Sequence, residues 1–352
     1  MGSARVGTVA LTLVALLLAG LSAAEAAKAK PKAKPKAPTH VVLGTTQLEG
    51  EPGVMGKTYT LGKDNPWNIT LNRAEYTTGR LTIGDRFWQP TADQKLLVLH
   101  YTVHNPQKGE AHMRFDTFGL TAVDSKNTNW ESIGNIGAEQ SGLAVDVQMK
   151  PAQKMDVYTA VLVPAAGPMP KVIFKSGDDR VVRYYPDQVV KGKNVCPVKP
   201  LAAPFADPKD ASGATALAHV PATLGVSYPM GETDVKVDSF AFSEKTINDT
   251  ELDSNEHFLI ITMTAKNAAQ GKPVLRFDTY DAKAIDSDGI AVEHRGDLLA
   301  LSRDASIDMN LEPGQEMRFR MYMKVPKDAA LRTFSLYRDD SRAYDYDISG
   351  VK

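Results

Sequence analysis

The chain has 352 residues, which at the usual domain size of about 150 residues leaves room for two domains and additional segments. Charged residues make up 24% and apolar residues 43% of it, so neither a disordered chain nor a protein with many membrane spans fits. A single cysteine excludes an intrachain disulfide framework and a thiolate zinc site. With 41 basic residues against 42 acidic ones, the balance of charge indicates no nucleic-acid partner.

The first 27 residues have the layout of a secretory signal peptide. Arg5 is followed by the apolar run 6–21 and then by the small residues of 22–27, which resemble an Ala-x-Ala cleavage site. The alternative is an uncleaved membrane anchor, because the apolar run is nearly long enough to cross a bilayer. The sequence therefore predicts an extracytoplasmic protein, either periplasmic or secreted.

Residues 28–54 are predicted to form a disordered basic arm. Its first part, 28–38, contains five lysines that alternate with alanine and proline, a composition that forms neither a helix nor a core. The remainder of the chain is acidic on balance, so the lysines separate a positive arm from a negative body. This arrangement predicts weak binding to an anionic surface, and we expect the partner to be a cell-wall polymer, such a surface or an envelope protein.

The sequence repeats itself at an offset of 162 residues. Residues 96–127 align without a gap to residues 258–289, and 11 of the 32 positions are identical. Residues 145–164 match residues 307–326 at the same offset. Two stretches in one register predict an internal duplication.

The duplication divides the chain into a first domain at 55–187, a linker at 188–220 and a second domain at 221–352. Apolar and polar residues alternate along 316–326, as on a strand with one buried face. Each copy has about seven such strands separated by turns, and no long amphipathic helix follows the signal. The predicted fold is all-β, with two tandem β-sandwich domains that fold separately and are joined by an exposed linker.

Several short motifs resemble the bacterial exported immunoglobulin-like domains of unknown function, the class that includes a mycobacterial secreted immunoprotective antigen. In both copies an apolar strand ends in Asn before a short loop, at 101–105 and 263–267. A Pro-x-Gln turn then feeds a strand that closes on Val-Pro, at 151–164 and 313–326. The resemblance implies two immunoglobulin-like sandwiches outside the cytoplasm, and it brings no catalytic residues.

The run Arg-Phe-Asp-Thr occurs at 114–117 and again at 276–279. On a strand, the Arg and the Asp of each run share a face and could together bind a polar ligand. The candidate binding residues are therefore Arg114, Asp116, Arg276 and Asp278. The alternative is a cross-strand ion pair or an Asx-type turn bond at the strand end, with both phenylalanines directed into the core.

Two groups of side chains suggest metal binding. Asp281, Asp286 and Asp288 resemble the start of a calcium loop, although no bidentate Glu follows and a solvated turn is the alternative. A second group contains the histidines 100, 104 and 112. Residues four apart on a strand are about 13 Å apart, which is too far for both to bind one ion.

Cys196 is the single cysteine and falls in the predicted linker. In an exported protein an unpaired cysteine indicates an intermolecular disulfide or a reactive thiol. We therefore expect a disulfide-linked homodimer through Cys196. The alternative is an incidental residue packed against one domain.

No nucleophile elbow, phosphate-binding glycine loop or zinc-protease helix occurs in the sequence. We therefore expect no enzyme and no cofactor, but a non-catalytic binding, adhesive or structural module of the cell envelope. One alternative is an envelope enzyme or enzyme accessory protein with a site between the two sandwiches. Another is a metal-handling periplasmic protein.

Overall fold

The computed structural model describes residues 49–351 apart from 178, 179, 187 and 295. The predicted signal peptide and residues 28–48 of the predicted arm lie outside this range. Within it the chain forms 29 strands. No helix of the described residues is long and apolar enough to cross a membrane.

Seventeen strands precede residue 200. They are β1 (Glu49–Gly53), β2 (Thr58–Leu61), β3 (Trp67–Thr77), β4 (Leu81–Ile83), β5 (Arg86–Trp88), β6 (Gln94–His104), β7 (Ala111–Met113), β8 (Gly119–Val123), β9 (Asn129–Glu131), β10 (Gly137–Ala138), β11 (Val147–Met149), β12 (Lys154–Pro164), β13 (Lys171–Lys175), β14 (Arg180–Tyr184), β15 (Val189–Val190), β16 (Lys193–Asn194) and β17 (Val198–Lys199).

Twelve strands follow. They are β18 (His219–Ala222), β19 (Ser227–Met230), β20 (Thr233–Ser243), β21 (Glu256–Asn267), β22 (Val274–Leu275), β23 (Asp281–Asp286), β24 (Ala291–Glu293), β25 (Leu299–Ala300), β26 (Met309–Asn310), β27 (Glu316–Pro326), β28 (Leu331–Tyr337) and β29 (Ala343–Asp347).

The first sandwich consists of two sheets with a core between them. One sheet has the strand order β1-β14-β13-β8-β9, and the other has the order β10-β12-β6-β3-β17 with β2 also paired to β3. Side chains alternate along β6, so Leu97, Leu99 and Tyr101 enter the core. Val98 and His100 lie between them in sequence and therefore face the outer side of the same sheet.

The second sandwich repeats the strand order of the first. Its sheets are β18-β29-β28-β23-β24 and β19-β20-β21-β27-β25. The first strand of each sandwich pairs in parallel with the last, β1 with β14 and β18 with β29. In addition, β3 has one register shift against β6, and β20 has one against β21. The prediction of an all-β protein with two sandwiches is confirmed.

Two buried asparagines occupy matching positions at the ends of β6 and β21. Asn105 Nδ2 donates to the carbonyl oxygens of Gly109 and Met149 at 3.0 and 2.9 Å. Asn267 Nδ2 donates to those of Gly271 and Leu311 at 2.7 and 2.9 Å. Each amide thus closes the short loop that follows it and joins that loop to a facing turn, because buried carbonyls need a donor.

The predicted exposed linker is packed against the first sandwich, which corrects the sequence-based expectation. Cys196, Leu201, Ala214 and Ala216 are buried within the first core. In addition, β17 pairs in parallel with β3. Alanine and proline are typical of exposed spacers in a sequence. Small side chains, however, also let the backbone approach a core closely, and the backbone of this linker makes hydrogen bonds with the first sandwich.

The predicted disordered arm also ends earlier than expected. Residues 49–53 form β1, which pairs with all five residues of β14. A parallel edge strand is specified by backbone hydrogen bonds rather than by an apolar pattern, and the stretch Glu-Gly-Glu-Pro-Gly has no such pattern. The first sandwich therefore begins at β1 rather than at residue 55.

Two arginines connect the sandwiches in opposite directions. Arg80 donates to the carbonyl oxygens of Gly231 and Thr233 in the second sandwich, at 2.7 and 3.0 Å. Arg342 of the second sandwich donates to Pro90 O at 3.3 Å and to Gln94 O in the first. Since a guanidinium has five donors in a fixed plane, each arginine orients several carbonyls at once.

Candidate functional site

A cavity of about 410 Å³ lies on the outer side of the β12-β6-β3 sheet in the first sandwich. We call it the His100 pocket, and its defining residues are Glu75, Val98, His100, Glu139, Tyr158 and Lys199. Four strands supply these side chains directly: β3, β6, β12 and β17. Glu139 follows β10 by one residue. The pocket is therefore carried by the most extensively paired part of the sandwich.

His100 lies between two carboxylates in this pocket. Its Nε2 is 3.2 Å from Glu75 Oε1, and its Nδ1 contacts Glu139 Oε1. Arg73 Nη2 lies 3.0 Å from Nε2 and 3.1 Å from Nδ1. The ring of Tyr158 stacks beside the imidazole with 6.1 Å between centroids. The imidazole therefore lies between two acids, with a guanidinium beside it.

Glu75 is held in its charged form. Burial by itself raises the pKa of this carboxyl, but the hydrogen bond from Lys199 and the positive charges of Arg73, Lys199 and His100 outweigh burial and lower the pKa. On the opposite side, burial and the charge of Glu139 raise the pKa of Tyr158. The phenol therefore stays protonated and donates to Thr82 O at 2.7 Å.

The pocket has the groups for binding and lacks the arrangement for nucleophilic catalysis. Catalytic hydroxyls or thiols are activated by a base within hydrogen-bond reach. Both nitrogens of His100 instead face Glu75, Glu139 and Arg73. Within the described part of the chain, no group of three or more His, Cys, Asp or Glu side chains is arranged so that it could hold a metal ion.

The structure places the Arg-Phe-Asp-Thr runs in turns after β7 and β22, and not on strands. Arg114 Nε pairs with Asp116 Oδ1 at 2.6 Å, and Arg276 Nε pairs with Asp278 Oδ1 at the same distance. Each arginine is thus already paired with the aspartate of its own turn. The ion pair thus joins two residues of one turn, whereas the structural alternative expected a pair across two strands.

The two phenylalanines of these runs do not point into the core, which corrects the structural alternative. Phe115 and Phe277 are both largely exposed at the tips of their turns. The reason is local. The Thr at the end of each run returns a backbone hydrogen bond to the Arg carbonyl, at 3.1 Å in the first copy and 3.0 Å in the second. This tight turn directs the intervening side chain outward.

The three candidate calcium ligands do not come together. Asp281 and Asp286 are the first and last residues of β23, so a whole strand separates them. Asp286 Oδ1 accepts hydrogen bonds from the backbone N–H groups of Asp288 and Ile290, at 2.9 and 2.8 Å. An aspartate that accepts from the residue two positions later closes a turn, which is the alternative considered for this segment.

The remaining histidines of the first sandwich have separate partners. His104 Nδ1 is 2.9 Å from Asn68 Nδ2, and His112 Nε2 is 2.5 Å from Asp146 Oδ1. His100 alone lines the pocket.

Cys196 is 1% exposed and belongs to the first core. The thiol cannot meet a second molecule while the linker stays packed, so an intermolecular disulfide requires this segment to open first. Burial also raises the pKa of the thiol to about 12, so it is protonated and unreactive at neutral pH. The alternative of a residue packed against one domain fits this position.

Sequence reasoning missed Glu75 and Glu139, the acids of the pocket. They are 64 residues apart in sequence, and only strand pairing brings them to His100. One signal was available in the duplication. At the offset of 162, the second copy has Thr262, Leu301 and Arg320 where the first has His100, Glu139 and Tyr158. A histidine and a glutamate that are present in one copy and absent from the other indicate a feature that the fold does not require.

Comparisons with known proteins concern mainly the second sandwich and the fold. Residues 222–348 match the family model described as Domain of unknown function (DUF4352). Among curated proteins, none matches this chain.

Several solved structures are similar to part of the chain. An uncharacterized β-sandwich protein from Clostridium difficile 630 is 13% identical, with a TM-score of 0.29, over 36% of this chain and 91% of that one. The secreted protein MPT63 from Mycobacterium tuberculosis is 14% identical, with a TM-score of 0.29, over 40% of this chain and 100% of that one. The yjhA protein from Bacillus subtilis is 18% identical, with a TM-score of 0.27, over 36% and 97%. At these values the similarity concerns the β-sandwich fold alone.

Proposed function

We propose that this protein is a non-catalytic, exported binding module of the cell envelope and that the His100 pocket is its binding site. The observation that carries the proposal is a cavity of about 410 Å³ around a buried imidazole and two carboxylates. Ligand sites are cavities of about 300–1,000 Å³ that combine apolar walls with a few placed polar groups. The signal-like residues 1–27 support export.

The charged cluster around His100 lowers the stability of the first sandwich, and the fold does not require it. Taking ionised groups out of water is unfavourable unless they are well paired. The second sandwich has the same strand order with Thr262, Leu301 and Arg320 at the matching positions. A costly cluster that one copy lacks is better explained by binding than by folding. The shared strand order also supports the inference that the first sandwich belongs to the same class of domain as residues 222–348.

A second candidate site lies between the two sandwiches. A cleft of about 480 Å³ is lined by Trp88 and Gln89 of the first sandwich and by Arg338 of the second. Gln89 Oε1 and Arg338 Nη1 are buried there without a hydrogen-bond partner among the described residues. A buried donor and a buried acceptor on residues that line one cleft favour a polar ligand that bridges the sandwiches.

The test is a binding titration of the full mature chain with a soluble muropeptide mixture, in which calorimetry measures the heat of binding. The decisive variant combines His100→Thr with Glu139→Leu, which gives the pocket the residues of the second sandwich. The matched control is His104→Lys, which makes the same kind of exchange on the same strand outside the pocket. We expect wild type and control to bind and the double variant to lose binding.

Two outcomes would contradict the proposal. Equal binding by all three proteins would remove the pocket as the contact, and an Arg338→Met variant would then show whether the cleft between the sandwiches is the site. An absence of binding by the wild-type chain to this mixture, and to anionic wall polymer in a parallel titration, would argue against an envelope-binding module.

A further inference from the structure

Lys199 occupies the mouth of the His100 pocket and shows what kind of group fits there. Its ammonium Nζ is 3.3 Å from Glu75 Oε2. Lys199 lies on β17, whose two residues pair with Ala74 and Glu75. Its side chain is 68% exposed, so it is held only at its tip. Glu75 can therefore bind an ammonium group. The ammonium of Lys199, which it binds in this structure, is on an exposed side chain and is easily displaced.

The two acids lie deeper than the arginine and the lysine beside them. The side chains of Glu75 and Glu139 are 21% and 33% exposed, whereas those of Arg73 and Lys199 are 53% and 68% exposed. The two acids, with His100 between them, thus form the floor, Lys199 lies at the rim, and Arg73 lies beside the pocket without lining it. A cation that passes the rim meets two carboxylates in a region of lower dielectric constant, where attraction is stronger than at the surface.

One wall of the pocket is apolar. Leu81, Val98, Leu201 and Phe205 line it. A small hydrated cation would leave this wall in contact with water, whereas a ligand with a hydrocarbon chain or ring would cover it. The wall therefore selects a ligand that has an apolar body in addition to its charge.

We propose that the His100 pocket binds a primary ammonium group carried on a short apolar chain or ring, and that Lys199 is an internal competitor which this ligand displaces from Glu75. The proposal rests on the proposed function, because it names the ligand class of the same pocket. In it, Glu75 and Glu139 bind the ammonium, His100 holds the two acids apart, and the wall around Val98 contacts the hydrocarbon.

The test uses n-pentylamine as the probe and N-pentylacetamide, its neutral amide, as the matched ligand. Amide proton and nitrogen chemical shifts of the full mature chain report binding and locate it. We expect pentylamine to bind at the pocket about tenfold more tightly than the amide, which lacks the charge. We expect Glu75→Gln to weaken pentylamine binding about tenfold for the same reason.

The Lys199→Met variant tests the proposal through a gain in affinity rather than a loss. This variant removes the competing ammonium and keeps the length of the side chain, so pentylamine should bind about threefold to tenfold more tightly than to wild type. A misfolded variant cannot produce a gain in affinity, which protects the test against loss of structure. Lys175→Met, an exchange on β13 in the other sheet, is the control and should leave the affinity unchanged.

Each contrary result overturns a defined part of the proposal. Equal affinity for pentylamine and its amide, or unchanged affinity in Lys199→Met, would show that the pocket does not select an ammonium group. If muropeptides bind in a His100-dependent manner while pentylamine does not bind at all, the ligand class is wrong and the proposed function stands. If neither probe binds, both are wrong.

Discussion

Lys95 and Ala214 are 119 residues apart, and Lys95 Nζ donates to the carbonyl oxygen of Ala214 at 2.5 Å. The same ammonium donates to the carbonyls of Ala165 and Gly167, at 3.1 and 2.5 Å. Lys95 is fully buried on β6. One charged side chain therefore ties the segment between the sandwiches to the centre of the first sheet.

Replacing this lysine should loosen the linker. Lys95→Met keeps the volume of the side chain and leaves the carbonyls of Gly167 and Ala214 without their donor, so we expect the free energy of unfolding to fall by about 3 kcal/mol. Urea denaturation measures this loss. Limited proteolysis should show residues 196–216 protected in wild type and cleaved in the variant. Lys171→Met, at a more exposed position on β13, is the control, and an equal loss in both variants would contradict the role given to Lys95.

The same side chain should make stability depend on pH in the alkaline range. Burial lowers the pKa of Lys95 from 10.5 to about 8, an effect that Asp210 opposes and Arg342 reinforces. Between these two values the folded protein binds fewer protons than the unfolded chain, so raising the pH favours folding. We expect the stability of wild type relative to Lys95→Met to increase by about 1–2 kcal/mol from pH 8 to pH 9.5.

Denaturation curves at several pH values check this sign. The window must stay below pH 10, because burial raises the pKa of Tyr280 to about 12 and a raised tyrosine pKa makes stability fall above its ordinary value of about 10. Parallel pH profiles for wild type and Lys95→Met would contradict the prediction.

Arg342 should couple the two sandwiches. It donates to Leu217 O at 2.9 Å in addition to its bonds with Pro90 and Gln94, and burial lowers its pKa to about 10. Removing it in Arg342→Met leaves buried carbonyls unpaired, so we expect a loss of about 3 kcal/mol and separate calorimetric transitions for the sandwiches. Arg332→Met, at an exposed position of β28, should change neither. A single transition of unchanged midpoint in Arg342→Met would be evidence against this coupling.

The thiol of Cys196 should report on the packing of the linker. Because it is buried and protonated, we expect no reaction with a disulfide reagent in the native protein and one thiol per chain in denaturant. A monomer on a non-reducing gel is the matching result. Rapid native labelling, or a dimer lost in Cys196→Ser, would restore the expectation drawn from the sequence.

A turn that differs between the copies offers a stabilising exchange. Gly314 has a φ of 76° at the third position of the turn 312–315, whereas Ala152 has a φ of 62° at the matching position. A left-handed backbone costs a residue with a Cβ about 1 kcal/mol relative to glycine. Ala152→Gly should therefore raise the free energy of unfolding by about 0.5–1 kcal/mol and Gly314→Ala should lower it by about 1 kcal/mol. Loss of stability in Ala152→Gly, or a gain in Gly314→Ala, would contradict this account of the turn in denaturation experiments.

The local elements of the fold were predictable from the sequence because each depends on neighbouring residues. Alternating apolar side chains predicted β27, and the repeat at an offset of 162 predicted that β6 and β21 correspond. The Pro-Gly pair predicted the turn at 312–315, where Gln315 N donates to Glu312 O at 2.9 Å. Strand period and turn chemistry act over a few residues, so they can be read without a structure.

The position of the linker and the makeup of the His100 pocket depend on long-range contacts, which cannot be predicted from composition. The linker looked exposed because it is rich in proline and alanine, but Lys95 and the pairing of β17 with β3 bury it. The acids of the His100 pocket were invisible for the same reason: strands β3 and β6 and the residue after β10 come from distant parts of the chain. The sequence by itself determined two sandwiches of repeated strand order, while only the tertiary structure decided which charged side chains of the first would meet, because register sets those distances.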